Sequence, residues 1–212
     1  STGASVFSGN VNNGISNYAV PAFTASQEAL MHVMHGLSLK TNTQEVFDWE
    51  LKASLYDYQT DVNRASGTLT SPTTYSSAGK ITDQNGTGWN NLALKGTWRP
   101  EGVKGAHILD FGYQQDNYTL KTITQNTATD WQAAAPVSLA SKAGGKTEMQ
   151  SLYVQDAWRF APLWKTVLGV RAEDWKASNG YVATTTSNTN NFAARQETHF
   201  SPKAAVSHQW AP

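Results

Sequence analysis

Four stretches of this chain carry residue types that could do chemistry. Gly144-Gly-Lys-Thr147 has the order in which a phosphate-binding loop ends, with glycines for close backbone approach and a lysine for the phosphates. The leading glycine of such a loop would fall at position 140, which is Ala, and no apolar strand precedes the stretch or helix follows it. It reads as part of a flexible external loop. Asp83-Gln-Asn-Gly-Thr-Gly88 offers hard oxygens at alternate positions, as some calcium loops do, but lacks the further acids and the closing Glu. It reads as an Asn-Gly turn. His32 and His35 flank Val33 and Met34; on a strand a spacing of three puts them on opposite faces, and only a local helix would let them share a metal. No Ser/His/Asp set or carboxylate pair is placed in a way that specifies catalysis. The reading is therefore of a protein that is not an enzyme, with no catalytic residue, metal site or cofactor.

The elements that hold these residues are strands. Phe47, Trp49, Leu51, Ala53 and Leu55 alternate with Asp48, Glu50, Lys52, Ser54 and Tyr56, a period of two with one apolar and one polar face. A helix would scatter those charges all round. Leu92, Leu94, Gly96 and Trp98 repeat the pattern, as do Leu109, Phe111 and Tyr113, then Leu152 and Val154, then Leu168 and Val170. With two weaker strands at Gly36–Lys40 and Phe200–Gln209, about seven strands and no helix are expected. The inward charges Asp48, Glu50, Lys52, Lys95, Arg99, Arg171 and Glu173 would hydrate an interior or pair with a segment lodged in it.

Composition agrees. The 212 residues balance 16 basic against 16 acidic, so no electrostatic nucleic-acid partner is indicated, and the charged share is only 15%. Cys is absent, which removes disulfides and thiolate metal sites. No apolar run is long enough for a membrane-spanning helix, which leaves open a membrane crossed by alternating strands. No leader precedes Ser1, so a signal peptide is expected to lie upstream or to have been removed.

Connections sharpen the picture. Short ones at about 41–45, 100–105 and 160–163 alternate with long ones at about 59–88, 122–146 and 176–197. In an antiparallel meander all long loops then fall at one end, the asymmetry of outer-membrane barrels with short periplasmic turns. Trp49, Trp98, Trp158, Trp164 and Trp210 sit near short turns or the chain end. Trp89 and Trp175, with Tyr113 and Tyr118, sit toward the long loops. Two aromatic girdles at the lipid–water boundaries are expected.

Ser151-Leu-Tyr-Val-Gln-Asp-Ala-Trp-Arg-Phe-Ala-Pro162 and Trp164-Lys-Thr-Val-Leu-Gly-Val-Arg-Ala-Glu173 resemble the recurring hairpin of TonB-dependent outer-membrane receptors. Phe200-Ser-Pro-Lys-Ala-Ala205 is similar to the strand that follows it there, and 47–58 and 89–100 resemble other barrel strands of the family. The resemblance implies an all-β fold: an antiparallel up-and-down meander that is part of a large transmembrane β-barrel. It makes 1–212 a single internal segment of a receptor barrel in the bacterial cell outer membrane, without the plug. It implies energy-coupled uptake of a scarce nutrient, foremost a ferric siderophore or other metal chelate. The implied partners are outer-membrane lipid, TonB acting through the missing plug segment, and the small-molecule ligand. Binding residues concentrate on long loops over a rigid scaffold, which nominates Tyr75, Trp131 and Tyr181 as ligand contacts. Two other architectures fit the alternation. One is a small eight-stranded pore or adhesin with an added strand from Ser5 to Tyr18; the other is a soluble carbohydrate-binding β-sandwich. Two positions sit badly: Asp156 falls on the lipid face unless a bulge re-aims it, and Pro202 removes a ladder hydrogen bond, tolerable near a strand end.

Overall fold

The computed structural model describes residues 8–12, 14–20, 23–184 and 188–210. Strands β1 (Gly9–Asn12) and β2 (Asn17–Val20) pair only with each other. The main sheet is built from β3 (Ser26–Lys40), β4 (Phe47–Ser66), β7 (Gly79–Asp83), β8 (Gly88–Trp98), β9 (His107–Thr127), β10 (Ser138–Ala161), β11 (Trp164–Ala183), β12 (Thr189–Asn191) and β13 (Arg195–His208). A small hairpin of β5 (Leu69–Ser71) and β6 (Thr74–Tyr75) rides on the connection after β4. No helix occurs among the described residues.

The nine strands of the main sheet occupy seven positions. Both β7 and β8 lie between β4 and β9, and both β12 and β13 lie against β11. Each position is antiparallel to the one before it in the chain, so the sheet is a meander and its three extended connections share one end. The strands outrun the sequence pattern. Those of 20 to 24 residues, β4, β9, β10 and β11, far exceed the roughly 9–11 residues a tilted strand needs to cross a bilayer. The expected long loops therefore shrink to 67–78, 128–137 and a stretch after 183 interrupted by β12. Gly144-Gly-Lys-Thr147 lies inside β10 at a register shift, not in a loop. Asp83–Gly88 holds the expected Asn-Gly turn between β7 and β8: Thr87 N donates to Gln84 O (3.0 Å), Asn85 N donates to Asp83 Oδ1 (2.8 Å), and Gly86 has φ +82°.

Paired residues share a face, and this sorts every side chain. Phe47, Trp98, Leu109, Asp156, Leu168 and Ala204 form one outward row; Trp49, Gly96, Phe111, Val154, Val170 and Pro202 form the next. Phe47, Trp49, Leu94, Phe111, Leu168 and Val170 are exposed as the alternation requires, while Leu51, Leu92 and Leu109 are half-covered by neighbours. Ile81 and Ala183 alone are buried hydrophobics among the described residues, whereas some thirty large apolar side chains are exposed. A sandwich would bury one of its faces, so that alternative is excluded by this single layer. The eight-stranded alternative gains no support either: β1 and β2, which take up residues 9–12 and 17–18 of its extra strand, pair with each other, and residues 5–7 lie outside the described residues.

The short ends are tied tightly. Asp48 is buried and accepts from Thr43 N (2.8 Å), Thr43 Oγ1 (3.0 Å), Gln44 N (3.2 Å) and Arg99 Nη1 (2.8 Å). One carboxylate thereby closes the β3–β4 turn and clips it to the β8–β9 turn. Asp156 keeps its outward place because the register from Val154 to Trp158 is unbroken. Pro202 lies within β13 opposite Val170, not at a strand end, and takes one N–H donor out of the ladder there.

Aromatic rings lie flat across glycines on both faces. The three atoms nearest a Cβ on Gly96 would all belong to the Phe111 ring, the first at 2.7 Å, whereas one on Gly112 would meet Leu94 O at 2.4 Å as well as Tyr153 Oη at 2.7 Å. Overpacking costs about 1–3 kcal/mol. Refolding of the full-length polypeptide into lipid vesicles should therefore suffer from Gly96→Ala and from Gly112→Ala. Phe111→Leu should rescue the first; Tyr153→Leu should not rescue the second, because the backbone oxygen stays. Equal rescue of both would refute this account.

Strand phase makes a second prediction. Leu51 faces outward between Leu39 and Leu94, and Lys52 faces inward beside Glu50, 2.9 Å away. Leu51→Arg should cost about 2–4 kcal/mol of barrel stability in vesicles. Lys52→Gln should cost a small fraction of that, and similar losses would mean the faces are inverted.

Candidate functional site

The inward face divides into two zones. Its lower rows are an ordered polar lattice. Lys40, Glu50, Lys95, Gly112, Tyr153, Arg171 and Ser201 lie in one row, with Ser38, Lys52, Ala93, Gln114, Ser151, Glu173 and His199 above it. Opposite charges neutralise one another here: Lys95 Nζ lies 3.2 Å from Asp110, and Arg171 Nε donates to Glu173 at 2.9 Å. Arg171 also donates to Ser151 Oγ (2.8 Å). The expected inward placement of Glu50, Lys52, Lys95, Arg171 and Glu173 holds.

The two rows above are different in kind. One runs Met34, Tyr56, Trp89, Tyr118, Thr147, Ala177, Arg195; the one beneath it runs Gly36, Ser54, Asn91, Asp116, Met149, Trp175, Glu197. Tyr56 and Trp89 stack at 4.3 Å, and Tyr56 meets Tyr58 edge-on at 5.6 Å. His32 stacks on Tyr58 at 3.9 Å, while its two nitrogens reach Tyr56 Oη (3.0 Å) and Asp61 Oδ2 (2.9 Å). An imidazole with both nitrogens engaged is a fixed strut for the aromatic shelf. His35, paired with Leu55, lies on the outer face, so the two histidines are apart as the spacing requires.

Between Trp89 and Trp175 the shelf opens into a cavity of about 260 Å³ floored by Tyr118, Thr147 and Met149, with Asn91 and Asp116 on its lower side. A second cavity of about 310 Å³ shares Tyr118 and Thr147 and continues over Gly144, Gly145 and Gly180, roofed by Phe192. Together they reach the size of an ordinary small-molecule site, apolar with a few directed polar groups.

Trp89 and Trp175 were expected in an outer lipid girdle with Tyr113 and Tyr118; the structure corrects this for three of the four. Trp89 is nine residues from Trp98, and Trp175 seven from Leu168. Odd separations on an unbroken strand put them on the opposite face. Tyr118 shares their inward face, and Tyr113 alone, opposite Leu94 and Leu152, faces outward. The lower girdle does stand: Trp49, Trp98, Trp158 and Trp164 are outward and exposed. Counting parity across each strand would have found the shelf in the sequence.

The three loop aromatics lie above it. Tyr75, in β6, donates to Phe23 O at 2.9 Å. Trp131 sits with its Cβ against Gly79, and its carbonyl accepts from Arg64. Tyr181 crosses Gly144 and carries Lys142 5.6 Å from its ring centroid. The structure does not bring them together with one another or with the shelf.

No curated protein and no solved structure matches the chain. The family model for the TonB dependent receptor-like β-barrel matches residues 2–212. The up-and-down sheet with an apolar outer and a polar inner face accords with a β-barrel wall, and the chain belongs to the TonB-dependent receptor β-barrel family.

Proposed function

We propose that 1–212 is one segment of the barrel wall of a bacterial outer-membrane receptor that takes up a scarce nutrient, with energy delivered by TonB through a plug contributed by another part of the receptor. A ferric siderophore or other metal chelate is the proposed cargo. Large aromatics on the polar face carry this reading. A wall that only held water would have no use for Tyr56, Trp89, Tyr118 and Trp175 on its inner side, whereas a ligand passing along it would bury them. The lower lattice of neutralised charges suits contact with a plug, whose polar surface it can meet without leaving unpaired ions. The outer rows face lipid. Tyr75, Trp131 and Tyr181, set on the overhanging strands and their connections, would be met first by a ligand from outside.

Nothing in this role needs bond chemistry, so the proposal remains that of a receptor and not an enzyme. Its direct test is energised uptake in cells. Deleting the full-length gene should abolish accumulation of radiolabelled ferric iron from iron-limited medium, and dissipating the proton gradient should do the same to the wild type. Trp89→Ala and Trp175→Ala should each weaken ligand capture roughly ten-fold, about 1.4 kcal/mol, while Trp98→Tyr on the lipid face leaves it unchanged. Unaltered iron accumulation in the deletion strain would end the reading.

A further inference from the structure

The charge of the shelf restricts what it can bind, provided the uptake reading holds. Asp116 is the one charged side chain among the described residues lining the cavity between Trp89 and Trp175. Across both shelf rows, β3 to β11 contribute no Lys or Arg. Arg195, on β13, lies 6.0 Å from the Trp175 ring centroid but is held by Glu197, with which it forms an ion pair. Arg171, two rows below Trp175's, is committed to Glu173, Ser151 and Gln114. A ligand seated between Trp89 and Trp175 meets ring faces, amide and hydroxyl groups and one carboxylate; Lys146 lines only the adjoining cavity and alternates along β10 with inward Thr147.

Chelates of a trivalent metal differ in net charge by ligand chemistry. Three bidentate groups of charge minus one leave the complex neutral, as in a tris-hydroxamate. Three groups of charge minus two leave it at minus three, as in a tris-catecholate. A trianion beside Asp116, walled by low-dielectric rings and with no cation among the described residues lining the cavity between Trp89 and Trp175, would be repelled over a distance too short for salt to screen. A neutral complex loses little on leaving water and gains the aromatic faces. The walls stand on strands three spacings apart, about 14 Å at 4.8 Å per strand, room for a compact chelate between two rings. We propose that this slot takes an uncharged trivalent-metal chelate of the tris-hydroxamate class and discriminates against polyanionic chelates, with Asp116 as the discriminating residue.

The test uses the full-length receptor in detergent and tryptophan fluorescence, with ferrichrome as the neutral tris-hydroxamate and ferric enterobactin as the trianion. Ferrichrome should quench saturably, and the trianion should bind at least ten-fold more weakly. Asp116→Asn should narrow that ratio and Asp116→Lys should narrow it further, by ten-fold or more, with heat-modifiable gel mobility confirming folded barrels. Trp89→Ala should weaken ferrichrome by roughly ten-fold. Tighter binding of the trianion, a ratio indifferent to both Asp116 variants, or no binding of ferrichrome would each overturn the proposal. If energised iron accumulation still depends on the gene in those cases, the charge rule alone falls; if it does not, the uptake reading falls with it.

Discussion

Backbone hydrogen bonding in a medium without water is the constraint on which the rest depends. An unpaired amide in hydrocarbon costs several kcal/mol, so a chain that crosses without helices must pair every strand along its length. Here each position from β4 to β11 is flanked on both sides. Once pairing is obligatory, the pleat assigns alternate residues to lipid and to interior, and the two faces become separate chemical surfaces. One face needs only to be apolar. The other is left to charges, amides and whatever a ligand requires.

That constraint explains what could be read in the sequence. Within the bilayer the faces differ, so Phe47 to Leu55 and their counterparts declare themselves by alternation, and seven strand positions were legible. Beyond it both faces are wet. The upper part of β4, Thr60-Asp-Val-Asn-Arg64, and of β10, Ser138 to Lys146, carry polar residues or glycine on each side, so no period survives to reveal a strand. They read as loops although they are paired. The bulge leaving Gln59 without a partner, between the pairs Met31↔Thr60 and His32↔Tyr58, shifts the phase there as well.

The shelf escaped notice for a different reason. Position along a strand places a tryptophan at a membrane boundary, but only parity says which side of the wall it is on. Trp98 and Trp89 look alike in composition and in distance from a turn, yet one is exposed on the outer face and the other lines the inner one. Loop length was overestimated too, because much of it belongs to paired strands. Tyr181, expected in a loop, lies on one of them.

Asp156 shows how far the outer face can bend the rule that makes it apolar. It stands between Leu109 and Leu168, where a carboxylate without a partner would be costly. The strand does not bulge to turn it inward. Instead His107, the first residue of β9, brings Nδ1 within 2.7 Å of Asp156 Oδ2, and Trp158 lies parallel over the imidazole with ring centroids 5.7 Å apart. The other oxygen, Oδ1, is buried and has no hydrogen-bond partner. A polar pair shielded by an indole close to a short turn is the cheapest way to keep an acid on this face, since a bulge would shift every outward residue beyond it, Val154 and Leu152 included. Preserving the register of the long strand outweighs the discomfort of one side chain, and the same preserved register places Tyr153, Ser151 and Met149 on the inner wall.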